Sequence, residues 1–307
     1  METPIELIMV AIAVPIYAVF IAAELLVSYV HERRYYTTKG TIANIYLSLM
    51  NLTIDVLMRG ICLGVLAFAY RFSFFEISNQ WIYWLALLIL QDLAFYLLHF
   101  VDHFSRFFWA VHVTHHSSPE FNLTIGFRSS VFQPLYRFFW FVPLTLLGFK
   151  PQDILLMFAG TQMYGVLIHT KCVGKLGFLE YFMATPSHHR VHHGSNPQYI
   201  DKNMGMVFIV WDRLFGTFAE EVEEVRYGVT KDIDLFHPID VVFHEWKDIA
   251  RDVRQPVPWW ARVLYVFGPT GWKYEGDHPS TVALKPTPTS YGHPVTANEG
   301  VGSGVAV

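Results

Sequence analysis

The chain has 307 residues, of which 53% are hydrophobic, 17% aromatic and only 16% charged. Mean hydropathy is +0.31, and soluble chains average about 25% charged residues, so the composition excludes an ordinary soluble domain and implies an integral membrane protein. A net charge of −4 offers no basic surface for nucleic acid, and two distant cysteines, Cys62 and Cys172, exclude a disulfide framework.

The first element is expected at Ile5–Val30, an apolar run interrupted by Glu6, Pro15 and Glu24. A spanning helix needs about 20 mostly apolar residues. The segment opens Met-Glu-Thr-Pro with no basic stretch, so it reads as a first membrane helix and not as a cleaved signal. Residues 42–70 give a second span, in which Asp55 and Arg59 stand i, i+4 and lower each other's burial cost by pairing. Residues 81–100 give a third. Segments 132–149 and 154–168 are shorter and are divided by Pro151, which suggests a helical hairpin. Residues 206–218 are apolar and aromatic but too short to span. Apolar positions from Ile239 to Val253 recur at helical spacing, which predicts one amphipathic helix. Trp259 and Trp260 suggest an interfacial anchor. The expected fold is thus all-α, a polytopic membrane protein of about four to five membrane helices with a cytoplasmic helical cap. Its expected parts are N-terminal membrane helices over 1–80, a histidine-rich core over 81–220, an amphipathic cap over 221–274 and a disordered tail over 275–307.

Orientation follows from Lys and Arg in short loops. Arg33, Arg34 and Lys39 follow the first helix and place that loop in the cytoplasm. Counting helices from there brings the C-terminal end of the third helix, and later His169, to the same face.

Histidine carries the chemistry. Eight of the fifteen histidines fall in three clusters: His99 and His103 in HFVDH, His112, His115 and His116 in HVTHH, and His189, His192 and His193 in HRVHH. Residues three or four apart share a helix face, so each cluster should aim several imidazoles at one spot. Eight are too many for one tetrahedral zinc and suit two metal ions. His169, returned to the same face by the helix count, is expected as a ninth ligand. Imidazole suits zinc, iron or copper. HExxH, the zinc-protease pattern, is absent, and neither cysteine is near a cluster. An all-histidine pair at a membrane face fits an oxygen-activating di-iron centre best, with zinc able to replace iron during purification. Asp92 shares a helix face with Tyr96, His99 and His103 and is a candidate to orient a ligand. His188 adjoins His189 and should point elsewhere, as a supporting or substrate-facing group.

The boxes HxxxH, HxxHH and HxxHH resemble those of the fatty acid hydroxylase/sterol desaturase superfamily over roughly residues 85–220. The stretches HHSSPEFNLTIGFRSSVFQP, TPSHHRVHHGSNPQYIDKN and WDRLFGTFAEEVEEVRYGVT further resemble the alkylglycerol monooxygenase branch. The resemblance implies a lipid oxygenase of the endoplasmic reticulum or bacterial inner membrane. Its di-iron site would face the cytoplasm and act on a membrane lipid (ether lipid, fatty acyl or sterol-like) with O2. It also implies that Asp201, Asn203 and Asp212 support the ligands. In that branch tetrahydrobiopterin supplies the electrons, and a glutamate follows the second histidine of the first box. Here Phe104 stands in that place, which argues against the pterin. Met204 likewise replaces a tyrosine in Asn203-Met204-Gly205. A chain of this length has little room for a fused donor, so a separate electron donor is expected. A desaturase of the sterol C-5 type would use the same site. A metal transporter or haem carrier is the remaining alternative, but a transporter would hold its histidines near the bilayer midplane.

Overall fold

A computed structural model of the chain describes residues 5–229, 233–234 and 237–274. The expected disordered tail over 275–307 lies outside the described residues. Among the described residues there is no β-strand, and only two isolated bridges, Ser105 with Pro269 and Met183 with Phe208, interrupt an otherwise helical fold.

Among the described residues three helices are long and apolar enough to cross a membrane. These are α1 (Ile5–Val30), α2 (Thr38–Tyr70) and α3 (Gln80–Phe104). Each of the last two starts on a polar cap: Thr37 accepts from the Gly40 N–H, and Asn79 from Trp81 and Ile82. Pro15 sits inside α1, as membrane helices tolerate. Large apolar side chains such as Val19, Leu26, Leu57 and Ile82 stand exposed along these helices, as lipid-facing surface requires. In α3 39% of the apolar window is buried, against 17% and 11% in α1 and α2, so α3 is the central helix.

A bend at Ser105 leads from α3 into α4 (Arg106–His116). The expected hairpin then takes a different form. Its first limb is not one helix but short 3-10 turns at Gln133–Leu135 and Arg137–Phe141, followed by α5 (Val142–Leu146). Pro134 and Pro143 explain the break, since each removes an N–H and disfavours helix in the residue before it. Gln133 and Tyr136 also hold this segment by donating to Asp102 of α3, both at 2.7 Å. Gly148, at φ +96°, makes the turn into the second limb, where a Cβ would stand 2.1 Å from the Phe75 carbonyl oxygen. That limb, α6 (Pro151–Leu167), is regular.

The cap consists of α7 (Pro186–His192), α8 (Val210–Phe215), α9 (Pro238–Asp252) and α10 (Trp259–Phe267). The amphipathic helix expected near 239–253 is α9. It is tied to α4 by Arg106, which reaches Glu245 and Asp252, each at 2.8 Å, with all three side chains buried. α10 buries Ala261 and Tyr265 and leaves Trp259 76% exposed. The expected pairing in α2 is present, with Arg59 3.7 Å from Asp55, and Arg137 also bonds Asp55. Cys62 and Cys172 are free thiols.

Candidate metal centre

All nine expected histidines converge where α3, α4, α6 and α7 end or begin. They form two groups. His99, His103, His112, His116 and His192 make one, and His115, His169, His189 and His193 the other; within each group the candidate ligand nitrogens lie within 4.8 Å of one another. Eight of the nine are less than 9% exposed, and His115 is half-buried.

The split corrects the expectation that each cluster aims at one spot. In HVTHH, His112 and His116 serve the five-histidine group while His115 serves the other. In HRVHH, His189 and His193 serve the four-histidine group while His192 crosses over. Helix geometry is the reason. At 3.6 residues per turn, i+4 falls about 40° past i and i+3 about 60° short of it. A helix lying between two groups therefore feeds both.

The outer ring nitrogens fix the inner ones. His115 Nδ1 meets the Arg128 carbonyl at 2.8 Å, and His169 Nδ1 meets that of Gly165 at 2.6 Å. In the other group, His99 Nδ1 meets the Met204 carbonyl at 2.7 Å, His192 Nδ1 that of Lys202 at 3.0 Å, and His103 Nδ1 the Asp201 carboxylate at 3.2 Å. A carbonyl or carboxylate only accepts, so these five rings carry their proton on Nδ1 and present a bare Nε2 lone pair inward. The consequence is sharpest for His115 and His169, whose Nε2 atoms stand 3.3 Å apart. Two lone pairs at that distance repel unless a cation lies between them. The Nε2 atoms of His103, His192 and His193 are buried with no hydrogen-bond partner, which is costly in the same way. The donor set thus fits bound cations and suits zinc, iron or copper.

Protonation agrees. Burial pushes His115 down to about 4, although the Arg128 carbonyl favours its charged form. Burial also holds His189, His192 and His193 well below the usual imidazole range. Neutral imidazole is the ligating form.

The supporting residues occupy varied places. Asp201, at φ +56°, contacts His103 directly. Asp212 accepts from the N–H groups of Met204 and Gly205 at 2.7 and 2.8 Å, and so fixes the Met204 carbonyl that orients His99. Asn203, also at φ +56°, donates to the carbonyls of His188 and Ala219 at 3.1 and 2.8 Å. Asp92 contacts no clustered histidine. It accepts from Val207, Phe208 and the Trp211 ring N–H at 2.9, 3.1 and 3.0 Å, and so pins the 206–211 segment to α3. His188 belongs to neither group. It completes a capping box with Thr185 at the start of α7. Phe104 is 52% exposed and stacks on Phe100.

Several contributors escaped the sequence reading. Ser130 Oγ lies 2.9 Å from His112 Nδ1. Asp102, fully buried between the two histidines of the first box, stands 3.8 Å from the same nitrogen. Arg128 is 1% exposed and donates to the Thr114 carbonyl, Ser117 Oγ and Asn44 Oδ1 at 2.9, 2.7 and 3.1 Å. Glu24 of α1 accepts from the Leu123 N–H at 2.9 Å and from Tyr36 and Thr170, which fastens the chain just after His169. Asp102 and Glu24 were legible as acids in apolar runs. Arg128 and Ser130 carried no spacing signal.

Gly126 supports His169 by having no side chain. A Cβ there would lie 2.8 Å from Val166 Cα and 3.2 Å from His169 Nδ1. Gly126→Ala is therefore expected to destabilise the protein by about 1–3 kcal/mol and to weaken metal binding in the four-histidine group. Thermal unfolding and metal analysis of the purified variant check it; unchanged values in both would exclude the close packing.

Comparison with known proteins agrees with the geometry. Residues 84–217 match the model of the fatty acid hydroxylase family. The alkylglycerol monooxygenase of Danio rerio is 40% identical over 192 residues, covering 62% of this chain and 43% of the relative. The ornithine lipid hydroxylase of Rhizobium tropici is 29% identical over 132 residues, covering 43% and 40%. A Delta(7)-sterol 5(6)-desaturase of Gibberella zeae is 25% identical over 155 residues, covering 46% and 45%. The chain thus spans less than half the length of these curated relatives. No solved structure matches it.

Proposed function

We propose that this integral membrane protein is a di-iron oxygenase that hydroxylates a C–H bond of a membrane lipid. The observation that carries the reading is the 5 + 4 division of nine inward-facing imidazoles within the segment that matches the fatty acid hydroxylase model. His99, His103, His112, His116 and His192 would hold one iron, and His115, His169, His189 and His193 the other. Bound iron would supply the reduction of O2, leaving one oxygen atom in the lipid and the other in water at the expense of two electrons and two protons. The chain's own residues do the rest. The carbonyls of Arg128, Gly165, Met204 and Lys202 and the Asp201 carboxylate keep five rings in the ligating tautomer. Asp212, Asn203 and Asp92 hold the 203–211 segment over α3. The aromatic packing of Phe121, whose ring lies 5.2–6.3 Å from those of His169, His189 and His193, keeps water from their outer faces. Zinc, which binds such sites more tightly than ferrous iron, would displace it readily during purification.

The site faces the cytoplasm in this reading. The basic loop after α1 stands beside the histidine-bearing segment, where Asn122 donates to the Tyr35 carbonyl at 2.6 Å. A loop carrying Arg33, Arg34 and Lys39 is retained on the cytoplasmic side, in a bacterial inner membrane or the endoplasmic reticulum. Electrons come from a separate donor. Phe104 stands where the alkylglycerol monooxygenase branch carries a glutamate, which argues against tetrahydrobiopterin as the reductant, the carboxylate beside His103 here being that of Asp201; turnover supported by the pterin and by no protein donor would sink that part.

Lipid analysis of cells with and without the gene, alongside oxygen uptake by the purified iron-loaded protein, tests the reading. A lipid gaining one oxygen atom is expected. A loss of two hydrogens would instead favour desaturation, as in the sterol desaturase relative. Absence of oxygen uptake with every lipid and reductant tried would defeat both, and leave a metal carrier.

A further inference from the structure

Helix α10 has two unlike faces. Ala261 and Tyr265 are buried and pack with Val253, Val257 and Trp272. Trp259, Val263 and Phe267, at i, i+4 and i+8, share the opposite face and are 76%, 47% and 56% exposed. Trp260 beside them is also exposed. An apolar stripe about 12 Å long therefore has no protein cover among the described residues. A contiguous exposed apolar surface marks a place where something other than water binds.

Where α10 is fastened says what that face meets. Its C-terminal end is stitched to the end of α3. The Ser105 hydroxyl donates to the Phe267 carbonyl at 3.1 Å, the Arg106 N–H to the Gly268 carbonyl at 3.0 Å and the Thr270 N–H to the Phe104 carbonyl at 3.0 Å. The outward stripe of α3, with Leu85, Ile89, Leu97, Phe100 and Phe104 exposed at helical spacing, runs up to this joint. In a spanning helix that stripe is covered by lipid. Phe104 and Phe267 are both exposed next to Ser105, so the apolar surface passes from α3 to α10 without a break. Helix α8 borders the same stripe: the Phe215 ring stacks on Tyr96 at 5.4 Å and Tyr96 on Phe100 at 6.5 Å. Charge agrees. From Val253 to Tyr274 the charged residues are Arg254, Arg262 and Lys273, with no acid among them, and Arg254 and Arg262 are exposed. A short helix with Trp and Phe on one face and basic residues beside it suits the plane of a bilayer interface, where anionic headgroups attract the basic groups.

We propose that α10 lies in the interface of the leaflet on the histidine side of the membrane, with Trp259, Val263 and Phe267 against the acyl chains and Arg254 and Arg262 among the headgroups. This is a lipid-binding surface of the cap, additional to the three spanning helices, and it depends neither on the metals nor on the reaction. It bears on the metal centre through Arg106 of α4, which donates to the Tyr265 carbonyl of α10 at 3.3 Å and pairs with Glu245 and Asp252 of α9. The helix that carries His112, His115 and His116 is thus braced against a helix that the bilayer holds.

The test uses the full chain in vesicles of phosphatidylcholine and phosphatidylglycerol, with Cys62→Ser and Cys172→Ser as background. Single spin labels are introduced by Val263→Cys on α10, by Arg262→Cys at the border of its exposed face and by Leu85→Cys on the lipid-facing stripe of α3. Each label is read by its relaxation with oxygen, which concentrates among acyl chains, and with a water-soluble nickel chelate. At Val263 oxygen should be the stronger relaxant, as at Leu85, and the label at Arg262 should be shifted toward nickel relative to Val263. Trp259→Cys should behave as Val263→Cys and serves if that variant does not accumulate. Nickel as the stronger relaxant at Val263 or Trp259 would overturn the proposal, because the face would then stand in water. Protection from both agents would overturn it equally, because protein would then cover the face, as in a dimer of two copies of the chain. No metal or turnover enters the measurement, so its failure leaves the oxygenase reading untouched, and a chain that consumes no oxygen leaves this inference standing.

Discussion

Replacing His169 with alanine should reduce bound metal from about two ions per chain to about one and abolish lipid oxidation. His169 is a lone histidine in sequence, yet its Nε2 stands 2.8 Å from His189 Nε2 and 3.3 Å from that of His115. Its Nδ1 is committed to the Gly165 carbonyl, so the ring has only one nitrogen to offer, and that nitrogen points at three others. Removing it leaves three imidazoles, short of the four that close a tetrahedral shell. The control is His188→Ala, adjacent to His189 but facing Thr185 and Met183. That variant should lose a helix cap worth about 1 kcal/mol and keep both metals. Metal analysis of the two purified variants decides the matter. Two ions retained in His169→Ala, or one lost in His188→Ala, would show that the groups are wrongly drawn.

The second large effect is expected at Arg128. Burial lowers its guanidinium to about 10, so it stays charged at neutral pH inside the protein. It spans α4 through Thr114 and Ser117 and α2 through Asn44, while its own carbonyl holds the His115 ring. Arg128→Ala would leave a cavity together with an unpaired amide oxygen, Asn44 Oδ1, while the Thr114 carbonyl would keep only its bond from Ser117 Oγ. A loss of about 3 kcal/mol or more follows, large for a single substitution. Because the His115 tautomer depends on the same backbone, metal should leave the four-histidine group before the five-histidine group. Thermal unfolding in detergent, with metal analysis along the melt, reads both. A variant as stable as wild type, with both metals held, would mean that the buried arginine fastens nothing.

The membrane helices were legible because an apolar run of spanning length has few other uses, and α9 was legible from its period. The first limb of the hairpin was not. Its residues are as apolar as those of α6, but Pro134 and Pro143 and the pull of Asp102 on Gln133 and Tyr136 break it into short turns, and hydropathy does not register a tertiary hydrogen bond. The nine histidines were legible from spacing and from helix counting. Their allocation was not, since it depends on α4 and α7 each lying between the two groups. Spacing gave Asp92 a place on the ligand face of α3, and the fold uses it instead to hold the 206–211 segment. Ser130 and Arg128 reach the site from a loop without periodicity, so only three-dimensional packing reveals them.

The central claim is that nine histidines hold two metal ions as a group of five and a group of four. Metal analysis of the intact, iron-reconstituted protein in detergent, normalised to chain concentration, tests it most directly. Two ions per chain are expected for wild type, falling to one in the His99→Ala/His112→Ala double variant, which leaves three imidazoles in the five-histidine group, and to one in His115→Ala, which leaves three in the other, with no ion left when all three substitutions are combined. A wild-type content of one ion or none, or retention of both ions in either the His99→Ala/His112→Ala or the His115→Ala protein, would contradict it.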